Sequence, residues 1–412
     1  MPVKSSRPLR ICLYVAIPEQ EQFRKVQRPL SQRVKSTIRN LLNDLVTRLT
    51  GQLQLDVYHY WTAANLGDNS NRGDIAIRMS VREQLIAAFA PRPVTFTELA
   101  WGALSEKSVA EINATSDLFV IGGGGYIFIS ADGSAGDMLA ADSPYLNTLN
   151  CPIIAVGIGL NRLMHEEVRS LETLPAKTRE LIKALSTACE SVSVRDRDTL
   201  ELFDLHGDKS AALTGDPVLF LNNPGDGTGK PPGRSLSVGL NLAAHGWRAI
   251  AMLLPLLPEI VDFLKAIQTR HGVEFVYLLH HDFERPVTKF LRRQGIRMRV
   301  VDSEPTELLK AYDHVDIVIC QMLHACIFAA NAEVPFLNIA YDQKNIAFCN
   351  LLEIADSCIP YTRAKSAALQ QKFEDLLRNR ASLVKTISER KASLRQEYAR
   401  FLQQVAAAAP SE

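Results

Sequence analysis

The stretch VDIVICQMLHACIFAANAEVPFLNIAYDQK, residues 315–344, decides the fold. An apolar run from Val315 to Cys320 gives way at Gln321-Met322-Leu323-His324. An alanine-rich segment follows, and a second apolar run ends at Tyr341-Asp342-Gln343-Lys344. Two short, uniformly apolar runs joined by helical composition read as strand, helix, strand, which is one unit of a buried parallel sheet. His324 then stands alone where a strand gives way to a helix.

The same alternation recurs along the chain. Expected strands are Arg10–Ala16, Leu53–His59, Asp117–Ile121, Ile153–Gly157, Ser191–Val194, Ser237–Leu242, Glu274–Leu279, Ile317–Cys320 and Phe336–Ile339. Helical patterns lie between them, among them Asp74–Phe89, Ala176–Cys189 and Met252–Arg270. This is the pattern of an α/β protein. The segment NNPGDGTGKPPGRS, residues 222–235, is turn chemistry throughout. It divides an N-terminal α/β domain over 1–221 from a C-terminal one over 236–360. A charged helical segment over 361–412 is expected to lie across the surface. The expected architecture is two doubly wound Rossmann-like domains facing across a cleft, with ligands between the carboxyl ends of their strands.

Bulk properties agree with that reading. At 412 residues the chain exceeds one compact domain. Its net charge of +1 gives no reason to expect nucleic acid as a partner. Seven cysteines occur without a CxxC pair, as suits a reducing cytoplasm better than a disulfide framework. The apolar run Ile11–Ile17 is seven residues long and leads into Pro-Glu-Gln-Glu, so it reads as a first strand rather than a secretion signal. No window approaches the roughly 18 apolar residues of a membrane span. A soluble cytoplasmic protein is expected. The charged C-terminal helix is read as a solvated face, with a peripheral contact to the inner membrane surface as the alternative.

Four places can carry chemistry. Asn71-Arg72-Gly73-Asp74 precedes an apolar helical pattern; Asp74 is expected to cap that helix, with Asn71 and Gly73 forming a turn that offers N–H groups to an anion. Gly122-Gly123-Gly124-Gly125 follows a buried strand and is not followed by a helix, so it is not a dinucleotide fingerprint. A second glycine turn, Gly157-Ile158-Gly159, closes another strand, and the two turns point to one rim of a site. Arg195 at the end of the strand SVSV can hold a carboxylate or phosphate in two-point fashion. His324 can exchange a proton near neutral pH, and a helix N-terminus would disfavour its charged form. The adjacent His280 and His281 would point to opposite faces of a strand, so no metal site is expected.

Taken in order, Asn71-x-Gly73-Asp74, Gly122–Gly125, Gly157-x-Gly159, Val194-Arg195-Asp196, Gly215-Asp216-Pro217, Leu323-His324-Ala325 and Tyr341-Asp342-x-Lys344 resemble the polysaccharide pyruvyl transferase family. The resemblance implies a fold similar to the two-domain GT-B glycosyltransferases, with no cofactor. It implies transfer of the enolpyruvyl unit of phosphoenolpyruvate to two hydroxyls of a sugar, nucleotide- or lipid-linked, as a pyruvate ketal. It casts His324 as the acid, Arg195 and Lys344 as anion-binding cations, and Asn71, Asp74, Gly123, Gly124, Gly125, Gly157 and Gly159 as the substrate rim. The family commonly reads R-L-H at the histidine; here the triplet is Met322-Leu323-His324. A lost charge-assisted anchor costs about 1.5–3 kcal/mol. Either Arg197, Arg162 or Lys344 substitutes, or the donor has changed. The alternatives are a nucleotide-sugar glycosyltransferase and a non-catalytic glycan-binding member.

Overall fold

The computed structural model describes residues 7–23, 70–129, 140–162, 171–172, 174–223, 225, 235–244 and 246–410. The expected strand Leu53–His59 and most of the expected linker lie outside these residues. Among those described, strands form two parallel six-stranded sheets. The first contains β1 (Leu9–Val15), β2 (Val94–Ala100), β3 (Leu118–Phe128), β4 (Ile153–Asn161), β5 (Ser191–Val194) and β6 (Ala212–Leu213), in the order 2-1-3-4-5-6. The second contains β7 (Ser237–Asn241), β8 (Glu274–Leu278), β9 (Met298–Val301), β10 (Ile317–Cys320), β11 (Phe336–Ala340) and β12 (Cys358–Pro360), in the order 12-11-10-7-8-9. The strand order of each sheet reverses beside its first strand, so each has a crevice at its carboxyl edge.

The helices flanking these sheets include α1 (Arg72–Phe89), α2 (Arg197–His206), α3 (Arg285–Arg293), α4 (Leu323–Asn331), α5 (Gln343–Leu351) and α6 (Arg380–Ala408). The stretch at 315–344 folds as its composition predicts, as β10, α4 and β11. Every residue of α4 except His324 is buried, so the helix is enclosed on all sides rather than amphipathic.

The halves share one core. Leu13, Val120 and Val156 of the first sheet, Ile77 and Val81 of α1, and Val276 and Val318 of the second sheet belong to a single apolar cluster. Polar ties reinforce it on two sides of the cleft. The Arg72 amide donates to the His280 carbonyl at 2.9 Å, and its guanidinium donates to the Ser303 carbonyl at 2.8 Å and Asp302 at 2.7 Å. Opposite, the Arg162 amide donates to Asp342 at 3.2 Å, and the Gln343 amide to the Arg162 carbonyl at 2.9 Å.

The charged C-terminal pattern is helix Ser366–Arg378 followed by the 29-residue α6. Its apolar stripe, Ile387, Leu394, Tyr398, Phe401, Leu402 and Val405, is buried. Arg380 pairs with Asp316 of the second half at 2.9 Å; further along, α6 packs on α1, β5 and β6 of the first. No helix among the described residues is long and apolar enough to cross a membrane.

Candidate active site

The carboxyl ends of the two sheets meet around a partly open cavity of about 250 Å³. Four helices begin at its wall. α1 brings Asn71 and Asp74, α2 is preceded by Arg195, α4 brings Met322 and His324, and α5 brings Lys344. Helix N-termini carry partial positive charge, so the backbone alone favours an anion here.

Two cations sharpen that preference. Arg195 is buried, and its Nη2 donates to the Leu160 carbonyl at 2.9 Å and to Asn161 Oδ1 at 3.1 Å. Its Nε lies 3.3 Å from Asp196, whose other oxygen caps α2 through the Thr199 amide at 2.8 Å. Lys344 Nζ donates to the same Asn161 Oδ1 at 3.0 Å and lies 3.8 Å from Asp342. Burial lowers the Lys344 pKa; the Asp342 charge opposes the shift and Arg195 adds to it. Two cations therefore converge on one amide oxygen, a geometry that an anionic ligand would stabilise.

Asp74 and His324 are also on the wall. Asn71, not Asp74, caps α1: its Oδ1 accepts from the Gly73 amide at 3.1 Å, and its Nδ2 donates to Asp74 Oδ2 at 2.6 Å. The helix starts earlier than the apolar periodicity shows, which makes Asp74 its third residue and leaves that carboxylate on the cavity wall. Its side chain is 23% accessible where it faces that cavity, and desolvation pushes its pKa up to about 6 against the pull of Lys344. His324 Nε2 stands 3.8 Å from Asp74 Oδ1. The imidazole packs on the backbone of Gly73, where a Cβ would lie 1.8 Å from Nδ1.

The glycine runs are not turns. Gly122–Gly125 lies inside β3, and Gly157 and Gly159 lie inside β4; Gly123, Gly124 and Gly157 take positive φ, and the register shifts after Gly124 in the β3–β4 ladder and across Gly157 in the β4–β5 ladder. Only Gly125 of the expected glycine rim lines the cavity. Gly123 and Gly157 pack against Ile77 and Pro217, Gly124 lies against Ile77 and Trp101, and a Cβ on Gly159 would meet Arg195 Nε at 2.0 Å. These glycines let other groups come close rather than forming the wall themselves. Asn161, the acceptor shared by both cations, was not foreseen. Its Nδ2 donates to the Gly125 carbonyl at 3.0 Å, and a polar residue ending a buried strand was the available signal. Trp101 and Phe128, which add aromatic surface, carried no sequence pattern.

Met322 is buried in the wall, and no side chain caps α4. Of the three cations weighed as substitutes for the family arginine, Lys344 lines the cavity, whereas Arg197 is exposed and Arg162 lies off the wall. The Met322 amide donates to Asn241 Oδ1 at 3.3 Å, and Asn241 Nδ2 donates to Glu284 at 2.9 Å. Burial raises the Glu284 pKa to about 8, and holds the neighbouring His280 and His281 down at about 3 and about 4. Between its unfolded value and about 8, native Glu284 keeps a proton that the unfolded chain has lost, so rising pH costs stability across that window. Glu284→Gln removes the titration. In thermal unfolding the variant should gain on the wild type steadily from about pH 5 to about pH 8, then hold its lead. A constant difference across that range would show that Glu284 is ionised in the fold.

Among the described residues, no three His, Cys, Asp or Glu side chains gather as metal ligands would. In overall structure the chain is similar to the glycotransferase of kitacinnamycin, with 13% identity, 98% of this chain and 100% of that one covered, and a TM-score of 0.51. It is also similar to the UDP-GlcNAc 2-epimerase of Neisseria meningitidis bound to UDP-GlcNAc, with 10% identity, 80% and 96% covered, and a TM-score of 0.51. At such identities the likeness shows the fold, a two-domain Rossmann-like architecture of the GT-B kind. No curated protein matches the sequence. The family model for polysaccharide pyruvyl transferase does, over residues 58–343. That span carries the Asn71–Asp74 helix start, Arg195 and His324 and covers most of the chain, which therefore belongs to the polysaccharide pyruvyl transferase family.

Proposed function

We propose that the protein transfers the pyruvyl unit of phosphoenolpyruvate to two hydroxyls of one sugar in a cell-surface polysaccharide or its nucleotide- or lipid-linked precursor. The convergence of Arg195 and Lys344 on Asn161, in one small cavity with His324 and Asp74, carries this reading. The cations would hold carboxylate and phosphate. His324 would protonate the methylene carbon, and the adjacent carbon, now cationic, would be captured by the first sugar oxygen. Loss of phosphate and attack by the second oxygen close the ketal. The two hydroxyls release two protons: one replaces that given to carbon, and the other leaves with phosphate. Asp74, with its pKa near neutrality, is suited to pass a proton to or from His324. In this reading residues 1–221 form the acceptor side and residues 236–360 the donor side, with Arg195 reaching the donor from the first half.

Size favours a three-carbon phosphoester. Ligand pockets for larger molecules run roughly 300–1,000 Å³, above the 250 Å³ here, so a nucleotide sugar would require the cleft to open. Calorimetric titration of phosphoenolpyruvate should show micromolar to sub-millimolar binding, weakened about 10–100-fold by Arg195→Ala. Absence of binding by folded wild-type protein at several millimolar would exclude this donor.

A further inference from the structure

The segment RPVTKFLRRQGIRMRVV, residues 285–301, contains six cations and no acid, whereas the rest of the chain has 40 cations against 45 acids. Its fold turns that charge outward. α3 buries Pro286, Val287, Thr288, Phe290 and Leu291 and exposes Arg285, Lys289, Arg292 and Arg293. β9 is the edge strand of the second sheet, and its alternation exposes Arg297, just before it, and Arg299. The Arg292 guanidinium donates to the Met298 carbonyl at 3.4 Å, which joins helix and strand into one face.

Arg285 pairs with Asp282 at 2.9 Å and Asp302 at 2.5 Å. Among the described residues the other five cations make no ion pair, although Glu274 shares a shallow groove with Arg297 and Arg299. Two ordinary explanations reach part of the way. A helix C-terminus favours Arg292 and Arg293, and cations on an edge strand discourage strand pairing between molecules. Neither requires Lys289 or the complete lack of acids over the segment.

We propose that this face docks the protein on a bilayer bearing anionic phospholipid headgroups. Spread, separate cations without a deep pocket suit a diffuse negative surface rather than one discrete ligand. Single-stranded nucleic acid would want exposed aromatic rings for stacking. The exposed large apolar side chains among the described residues are Ile86 and Leu205, neither of them on this face. The face also begins at the cleft: Asp302 binds both Arg285 and Arg72, the first residue of the helix that carries Asp74. A lipid-linked acceptor would thus meet the cavity from the docked side; only this last point rests on the proposed reaction.

The test is cosedimentation of the full chain with phosphatidylglycerol–phosphatidylcholine vesicles and with pure phosphatidylcholine vesicles. Each basic residue at an anionic surface is worth roughly fivefold in partitioning. The variant Lys289→Glu, Arg293→Glu, Arg297→Glu should therefore lose about a hundredfold or more of the binding, and wild-type protein should be released by high salt, while phosphoenolpyruvate titrations stay unchanged. Equal binding to both vesicle types, or full binding by a folded triple variant, would overturn the proposal. So would stronger retention by single-stranded RNA than by the anionic vesicles. Vesicle binding is read without turnover, so a failure here is separable from a failure of the proposed chemistry.

Discussion

His324→Ala should fold, bind phosphoenolpyruvate and fail to turn it over. Positioned proton transfer contributes about 10²–10⁴-fold to a rate, and here the first step places a proton on carbon, so the upper part of that range is expected. The separation of binding from turnover follows from geometry. The anion-binding groups, Arg195 and Lys344, are held by Asn161, Leu160 and Asp342, none of which needs the imidazole. The fold should survive because the α4 start is fixed through the Met322 amide and Asn241, and the His324 side chain, 12% exposed, is the one residue of that helix not buried in the core. Phosphate release from phosphoenolpyruvate, assayed with nucleotide- and lipid-linked sugars, gives the rate, and calorimetry gives the affinity. Residual turnover within tenfold of wild type would remove His324 from the acid's role.

Gly73→Ala should be nearly as damaging to activity, for a different reason. Gly73 is the second residue of α1, where alanine normally improves a helix by close to 1 kcal/mol. Its Cβ would, however, sit 1.8 Å from His324 Nδ1 and 2.0 Å from Cγ, which no relaxation of a few tenths of an ångström relieves. The imidazole must move by more than an ångström, and misplacement on that scale costs on the order of 10²-fold in rate. Turnover should therefore fall sharply while thermal stability is kept or raised, a combination that a general packing defect would not give. Adding Gly73→Ala to His324→Ala should cost little more, because the glycine acts through the histidine. Additive losses in the double variant would show that Gly73 serves the site by some other route.

Much of this architecture was legible because buried parallel strands are uniformly apolar. Ile317–Cys320, IVIC, could be read to the residue on that ground, and Ser191–Val194, SVSV, from its β-branched valines. The strands that escaped notice are the ones that do not obey that rule. Val94–Ala100, VTFTELA, is a half-exposed edge with alternating threonines, and Met298–Val301, MRVV, is the partly exposed edge of the second sheet, while β6 and β12 are two and three residues long. The glycine run misled because glycine marks turns far more often than strand interiors. Here β3 keeps its ladder through Gly122 and Gly124, and small residues admit Ile77, Trp101 and Asn161. His324, Arg195 and Lys344 could be picked out because each ends a strand or opens a helix. Asn161 ends a strand as well, but its part in the site comes from two cations lying 183 and 34 positions away in the chain, a pairing that no local pattern carries.

The long final helix has a consequence for how the protein is made. The first sheet is complete in sequence at Leu213, yet part of its covering surface, along α1, β5 and β6, is supplied by Leu394 to Val405. At about 5–20 residues per second, the ribosome delivers that cover some ten to forty seconds after the last strand it protects. Throughout that interval the nascent first half must hold an unfinished apolar flank. A premature stop near residue 385 would therefore do its greatest harm to the half of the molecule synthesised first.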